Sequence, residues 1–227
     1  MKLRGTMKLS EKTISILKNF SSINQSLLFK TGNKLRTISV MKNILASAEI
    51  DEELPKEFGI YDLNQFLNGL SLHHNAELDF SADSYAVIKE GSRKTKYYYS
   101  DPNVIISPPE KELTLPSEDI CFELDSDQLN QLLKAAAVYQ VPDLCAIGNG
   151  QKISLVVRDR KNETSNEYSI EVGETSDNFV MNFKVENIKI LPGKYEVVIS
   201  KSNISRFVNT QMGVTYHIAL EPDSTFG

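Results

Sequence analysis

Tryptophan is absent from this 227-residue chain, and cysteine and histidine are scarce, with two of the first and three of the second. Cys121 and Cys145 have no CxxC spacing. They read as reduced, partly buried thiols of an intracellular protein, not as a staple or a metal pair. His73 and His74 are adjacent and point in different directions on a helix, unlike the i, i+4 pair of a zinc helix. They read as a solvated helix end, and His217 falls in a late strand. No GxGxxG, GxxxxGK[ST] or GxSxG motif is present, and Gly148-Asn149-Gly150 is explained as a hairpin turn. The acidic run Asp51-Glu52-Glu53 before Pro55 reads as a loop rather than a catalytic dyad. These absences point away from an enzyme, a metal site and any cofactor. No uninterrupted apolar run approaches the roughly 20 residues that span a bilayer. The start, MKLRGTMKLSEK, lacks the apolar core of a signal peptide, and a second Met-Lys-Leu at 7–9 marks residues 1–6 as a dispensable leader.

What the chain does have is enough apolar sequence for a core: 41% of residues are apolar and 24% charged. The net charge of −5 argues against a coat of positive charge, although local basic patches remain compatible with it. It also has an internal echo. SEKTISILK (10–18) returns as SDQLNQLLK (126–134). With Ser10 as N-cap, Thr13, Ile16, Leu17 and Phe20 fall on one face of a 3.6-residue period. Leu129, Leu132, Leu133 and Ala136 occupy the same offsets, while Lys18 and Lys134 point away from that face.

The parallel continues downstream. FKTGNKLRTISV (29–40) and IGNGQKISLVV (147–157) each read strand, turn, strand. Further strands are expected near 44–50 and 167–173. Residues 60–72 carry a helical stripe of Leu63, Phe66, Leu67 and Leu70, and 182–193 predicts a shorter fourth helix ending at Pro192-Gly193. Each half closes on three short strands. In the first of these triplets, Tyr97-Tyr98-Tyr99 reads as one ring inward and two outward rather than as a base-stacking platform. The expectation is an α+β chain of two similar domains, an internal duplication with two helices on one face of each. The domains span 7–107 and 120–227, joined by a proline-rich connector at 108–119.

The exposed helix faces are basic or neutral and rich in amides. Lys18 lies beside Ser15, Asn19 and Ser22, with Lys12 flanking. Lys134 lies beside Asn130 and Gln131. Asn64, Gln65, Asn68 and Ser71 line the outer side of 62–72, and Lys184 and Lys189 belong to the expected fourth helix. Lysines and amides of this kind touch phosphates without reading bases.

The stretches Met7-Lys8-Leu9-Ser10, Leu17-Lys18-Asn19-Phe20, Ile60-Tyr61-Asp62-Leu63-Asn64, Leu70-Ser71-Leu72, Pro192-Gly193 and Ala219-Leu220-Glu221 with Asp223-Ser224-Thr225 resemble the DNA polymerase sliding clamp of T-even-type bacteriophages. The resemblance runs from Met7 nearly to the end, while the leader and the middle segment depart from it. It implies a ring-shaped homotrimer of clamp-fold domains, with sheets outside and helices lining a hole that encircles duplex DNA. It also implies a non-enzymatic processivity factor in the cytoplasm of an infected bacterial host. Its partners would be a phage DNA polymerase, an ATP-driven loader and late-transcription factors.

On this reading Lys8, Lys12, Lys18, Asn64, Asn68, Lys134, Lys184 and Lys189 face DNA. Subunits join through Arg93, Lys94, Lys96 and Tyr98 on one edge and Glu167, Ile170, Glu171, Val172 and Glu174 on the other. Val104, Ile105, Ile106, Leu113, Leu115, Leu220 and Pro222 form a partner pocket. The alternative is an acidic two-domain adaptor that never surrounds DNA, with a small hydrolase a more distant reading.

Overall fold

Two units emerge from the computed structural model, which describes residues 6–227. The first takes residues up to 110 together with Met212–Val214, and the second takes Lys111–Gln211 and Thr215–Gly227. The first unit runs β1 (Thr6–Met7), α1 (Glu11–Ile23), β2 (Leu27–Phe29), β3 (Gly32–Ile38), β4 (Ile44–Leu54), β5 (Phe58–Ile60), α2 (Leu63–Ser71), β6 (Glu77–Asp79), β7 (Tyr85–Glu90) and β8 (Arg93–Tyr98). Its strands form a sheet in the order β1-β6-β7-β8, with β3 paired to β4 and β2 to β5. Thr6 pairs with Asp79, so residue 6 belongs to the sheet and not to an idle leader. Residues 1–5 of that expected leader lie outside the described residues.

Helix α1 forms as its periodicity predicts. The Ser10 hydroxyl oxygen accepts the Thr13 N–H at 3.2 Å, and Thr13, Ile16, Leu17, Phe20 and Ile23 are buried. In α2, Asp62 is the cap, and Leu63, Phe66, Leu67 and Leu70 are buried. The acidic run is not a loop. Strand β4 continues through Asp51-Glu52-Glu53 to a buried Leu54, because the alternation begun at Ile44, Ala46, Ala48 and Ile50 carries the chain onward as a strand.

The tyrosine run has the opposite phase from the one expected. Ala86 and Ile88 of β7 are buried, and Tyr97 stands opposite Ala86. Tyr97 and Tyr99 therefore turn inward: Tyr97 meets Phe66 edge-on at 5.1 Å and Tyr99 packs on Phe58 at 4.9 Å. Tyr98 alone is exposed. His73 is also turned inward, buried rather than solvated, with Nε2 3.2 Å from Thr95 Oγ1 on the same face. His74 is exposed.

The second unit runs β9 (Ile120–Leu124), α3 (Ser126–Tyr139), β10 (Asp143–Asn149), β11 (Lys152–Arg158), β12 (Tyr168–Glu174), β13 (Asn178–Lys184), β14 (Tyr195–Ser200), β15 (Ile204–Asn209), β16 (Val214–Ala219) and β17 (Thr225–Phe226). One sheet has the order β12-β11-β10-β13-β17, and in another β16, β15, β14 and β9 follow one another. Helix α3 buries Leu129, Leu132 and Ala136, with Leu133 half-buried. Its cap is Asp125, one residue before the echo's Ser126, in a reciprocal capping box with Gln128. In the β10–β11 hairpin only Gly150 has positive φ, at 79°. Asn149 instead accepts the N–H groups of Gln151 and Lys152 on its side-chain oxygen.

The fourth helix does not form. Strand β13 runs to Lys184 in unbroken register with β10, and only a 3-10 turn, Val185–Asn187, follows. Phe179, Met181 and Phe183 are buried at a period of two, as are Ile188 and Ile190. That spacing suits a strand and an extended tail rather than a helix. The architecture is therefore α+β, a repeated two-domain plan with a second helix in the first unit alone. Among the described residues, no helix is long and apolar enough to cross a membrane.

Candidate functional site

The helix stripes that build the two cores leave matching polar faces in solvent. On α1, Lys18 and Ser22 are exposed and Ser15 and Asn19 half-buried; on α3, Asn130, Gln131 and Lys134 are exposed. Lys18 and Lys134 hold the same offset from their buried stripes. Helix α2 presents Asn64, Gln65, Asn68 and Ser71 and no charge. Lys12 is engaged, with Nζ 3.3 Å from Asp51 Oδ1. Lys189 and Lys8 are exposed, Lys189 beyond the 3-10 turn and Lys8 just after β1.

Lys184 has a different occupation from the one expected. Its ammonium donates to Asp143 Oδ1 at 2.6 Å, and Asp143 is buried. Asp143 also accepts the Arg160 N–H at 3.1 Å, while the Arg160 guanidinium reaches Asp223 at 2.5 Å. Burial alone would raise the Asp143 carboxyl, but the Lys184 hydrogen bond and the Arg160 contacts outweigh it and hold the group below the usual carboxylate value. Lys184 is correspondingly raised, first by its hydrogen bond to Asp143. The sequence carries no local signal for this cluster, since Asp143, Arg160, Lys184 and Asp223 come from four separate segments. The same holds for Glu52, whose carboxylate accepts the Ser10 N–H and, at 2.5 Å, the Thr13 hydroxyl, pinning the start of α1 to β4.

The two strands expected to join subunits are each outermost in their sheet. On β8, Arg93, Lys94, Lys96 and Tyr98 are exposed, with the Lys96 ammonium 5.0 Å from the Tyr85 ring centroid. On β12, Glu171 and Glu174 are exposed and Ile170 and Val172 half-buried; Glu167 sits one residue before the strand. Glu174 already pairs with Lys152 at 3.2 Å. Of the expected pocket residues, Val104, Ile106, Leu113 and Pro222 are exposed and Leu115 half-buried. Ile105 and Leu220 are instead buried, so neither offers a surface. Ile105 packs against Gly59, where a β-carbon would collide with it.

Solved structures identify the class of fold. Proliferating cellular nuclear antigen from Entamoeba histolytica superposes with a TM-score of 0.71 at 15% identity, covering 95% of this chain and 98% of that one. Caulobacter crescentus pol III beta gives 0.71 at 14% identity, over 96% of this chain and 66% of that one. The fold is that of a sliding clamp.

Sequence identifies the family. The family described as "DNA polymerase processivity factor" matches residues 8–107, and "gp45 sliding clamp, C terminal" matches 121–222. The sliding clamp of Vibrio phage KVP40 is 33% identical over 222 residues, covering 95% of this chain and 99% of its own. That of Enterobacteria phage T4 is 30% identical over 96% and 99%. The chain belongs to the sliding clamp family of DNA polymerase processivity factors and acts in DNA replication as a clamp ring.

Proposed function

We propose that three copies close the ring, each contributing residues 7–107 and 120–227 as clamp domains with 108–119 between them. The observation that carries this reading is the paired placement of Lys18 and Lys134, exposed at one offset on two equivalent helices. With Lys189, Asn64 and Asn68 they make a sparse, sequence-blind lining for duplex DNA; the expected Lys8 instead lines a cleft with Glu77, Lys89 and Lys94 on the first unit's sheet. Lys12 and Lys184 contribute less, since each has a carboxylate partner. Sparse contacts suit a topological tether, because each phosphate contact adds salt-sensitive affinity that would retard sliding. Subunits join head to tail where the basic edge of β8 meets the acidic edge of β12, two unlike surfaces of the kind that close rings. Surface ion pairs supply only about 0–1 kcal/mol each, so Tyr98, Ile170 and Val172 carry part of the joint.

Val104, Ile106, Leu113, Leu115 and Pro222 receive short apolar peptides of the phage polymerase and of an ATP-driven loader. Late-transcription factors are a further class of partner. No catalysis and no cofactor are involved, and the site of action is the cytoplasm of the infected bacterium. Retention on nicked circular DNA, with release when that DNA is linearised, tests the reading. A monomer that shows no such retention overturns it in favour of an adaptor.

A further inference from the structure

We propose that the outer face of the β1-β6-β7-β8 sheet carries a docking cleft for an acidic peptide segment of a partner protein. The inference rests on the clamp reading only in assigning duplex DNA to the helix side. The cleft, of about 550 Å³, is lined by Lys8, Asn75, Glu77, Lys89, Glu90 and Lys94 with the turn glycine Gly91. Its basic residues are aligned by strand register. Glu77 stands opposite Lys89 and Lys89 opposite Lys94, and Lys8 follows Met7, whose own partner is Leu78.

Like charges directly opposite on an antiparallel pair are destabilising, so Lys89 facing Lys94 costs the fold something. Several cations elsewhere are paired: Lys12 with Asp51, Lys184 with Asp143, Lys194 with Glu123 and Arg206 with Glu118. Among the described residues, Lys8, Lys89 and Lys94 make no ion pair. Glu90 stays ionised, its carboxylate accepting the N–H groups of His74 and Asn75 at 3.2 and 3.1 Å, but it already pairs with Arg93 at 4.0 Å. Glu77 in the lining, and Asp79, whose carboxyl is lowered first by Ser81 hydrogen bonds and also by Lys89, are left to balance three ammonium groups.

The direction of the cleft selects the occupant. Ile88 lies on the α2 side, with its Cδ1 3.8 Å from where a β-carbon on Gly69 of α2 would stand. Its neighbour Lys89 therefore projects from the opposite face, since successive strand residues alternate. Duplex DNA held against the polar faces of α1 and α2 cannot reach that side. An extended run of Asp and Glu from another protein can, and its carboxylates complement the lysines there in charge.

The test uses a fluorescein-labelled deca-glutamate peptide and, as the competing polyanion, single-stranded (dT)10, each titrated into the intact protein at low salt and followed by anisotropy. The peptide binds the unaltered chain and K18A/K134A equally, and K8A/K89A, which leaves the β8 edge untouched, weakens it about tenfold; raising salt toward 0.15 M has a similar effect. A melting temperature of the double variant equal to or above that of the parent shows that folding is intact. Equal peptide affinity in parent and double variant overturns the proposal, as does (dT)10 binding the cleft more tightly than the peptide. Retention on nicked circular DNA, measured on the same variants, reports separately on the clamp reading. Loss of peptide binding with retention preserved supports the cleft.

Discussion

The helices α1 and α3 descend from one plan, yet their starts are held differently. Helix α3 is locally sufficient: Asp125 and Gln128 satisfy each other's backbone donors within four residues. Helix α1 depends on a remote strand, since Glu52, 42 positions after Ser10, clasps both Ser10 and Thr13. What the two copies share is the buried stripe and the outward lysine. A duplicated module thus retains the side it buries and lets each helix end find its own hydrogen bonds.

The largest effects should come from the shared stripe. Ile16 and Leu132 occupy equivalent offsets and both are fully buried. Either residue replaced by alanine should cost about 2–5 kcal/mol in urea unfolding. A loss under 1 kcal/mol at one of them would show that the two cores are not equivalent.

The Asp143 cluster, found only in the second unit, comes next. Asp143→Asn should cost about 3 kcal/mol, the low end for breaking a buried pair, because Lys184 and Arg160 keep some access to water. The sign of its pH dependence follows from the shifts. A carboxyl lowered by folding contributes stability above its unfolded value near pH 4 and loses that contribution as pH falls through the lower folded value. Lys184, raised by folding, contributes fully below about pH 10.4 and loses that contribution as pH rises through its folded value. Unfolding followed across pH 2–5 should therefore be less steep in D143N than in the parent.

The caps sharpen the contrast at a smaller scale. Asp125→Ala should cost about 1 kcal/mol, as a local cap does. Glu52→Ala should exceed it by roughly 1 kcal/mol, since it frees two partly buried donors at once. Equal losses would mean that the remote clasp adds nothing. Smallest in stability are Lys18→Glu and Lys134→Glu, each within about 0.5 kcal/mol. Together they should nevertheless shorten the lifetime on circular DNA and reduce its dependence on salt.

Much of the helical and hairpin architecture was legible along the chain. Stripes such as Thr13-Ile16-Leu17-Phe20 and Leu63-Phe66-Leu67-Leu70 are local patterns, and burial follows their period. The segment 182–193 misled because a short apolar run is compatible with either period; pairing along β10 holds it as strand up to Lys184, and a 3-10 turn and extended chain follow. The tyrosine run misled for a related reason. Alternation is visible in the chain, but its phase depends on which strand face meets α2.

The site divides in the same way. The sequence places Lys18 and Lys134 outward, because helical spacing alone sets a residue's side relative to an apolar stripe. It does not reveal that Lys184 is held by Asp143, that Glu52 secures α1, or that Ile105 and Leu220 are buried. Those facts belong to tertiary structure, for a physical reason. Charge pairing and burial depend on distances between segments far apart in the chain, whereas periodicity depends only on neighbours within a few residues.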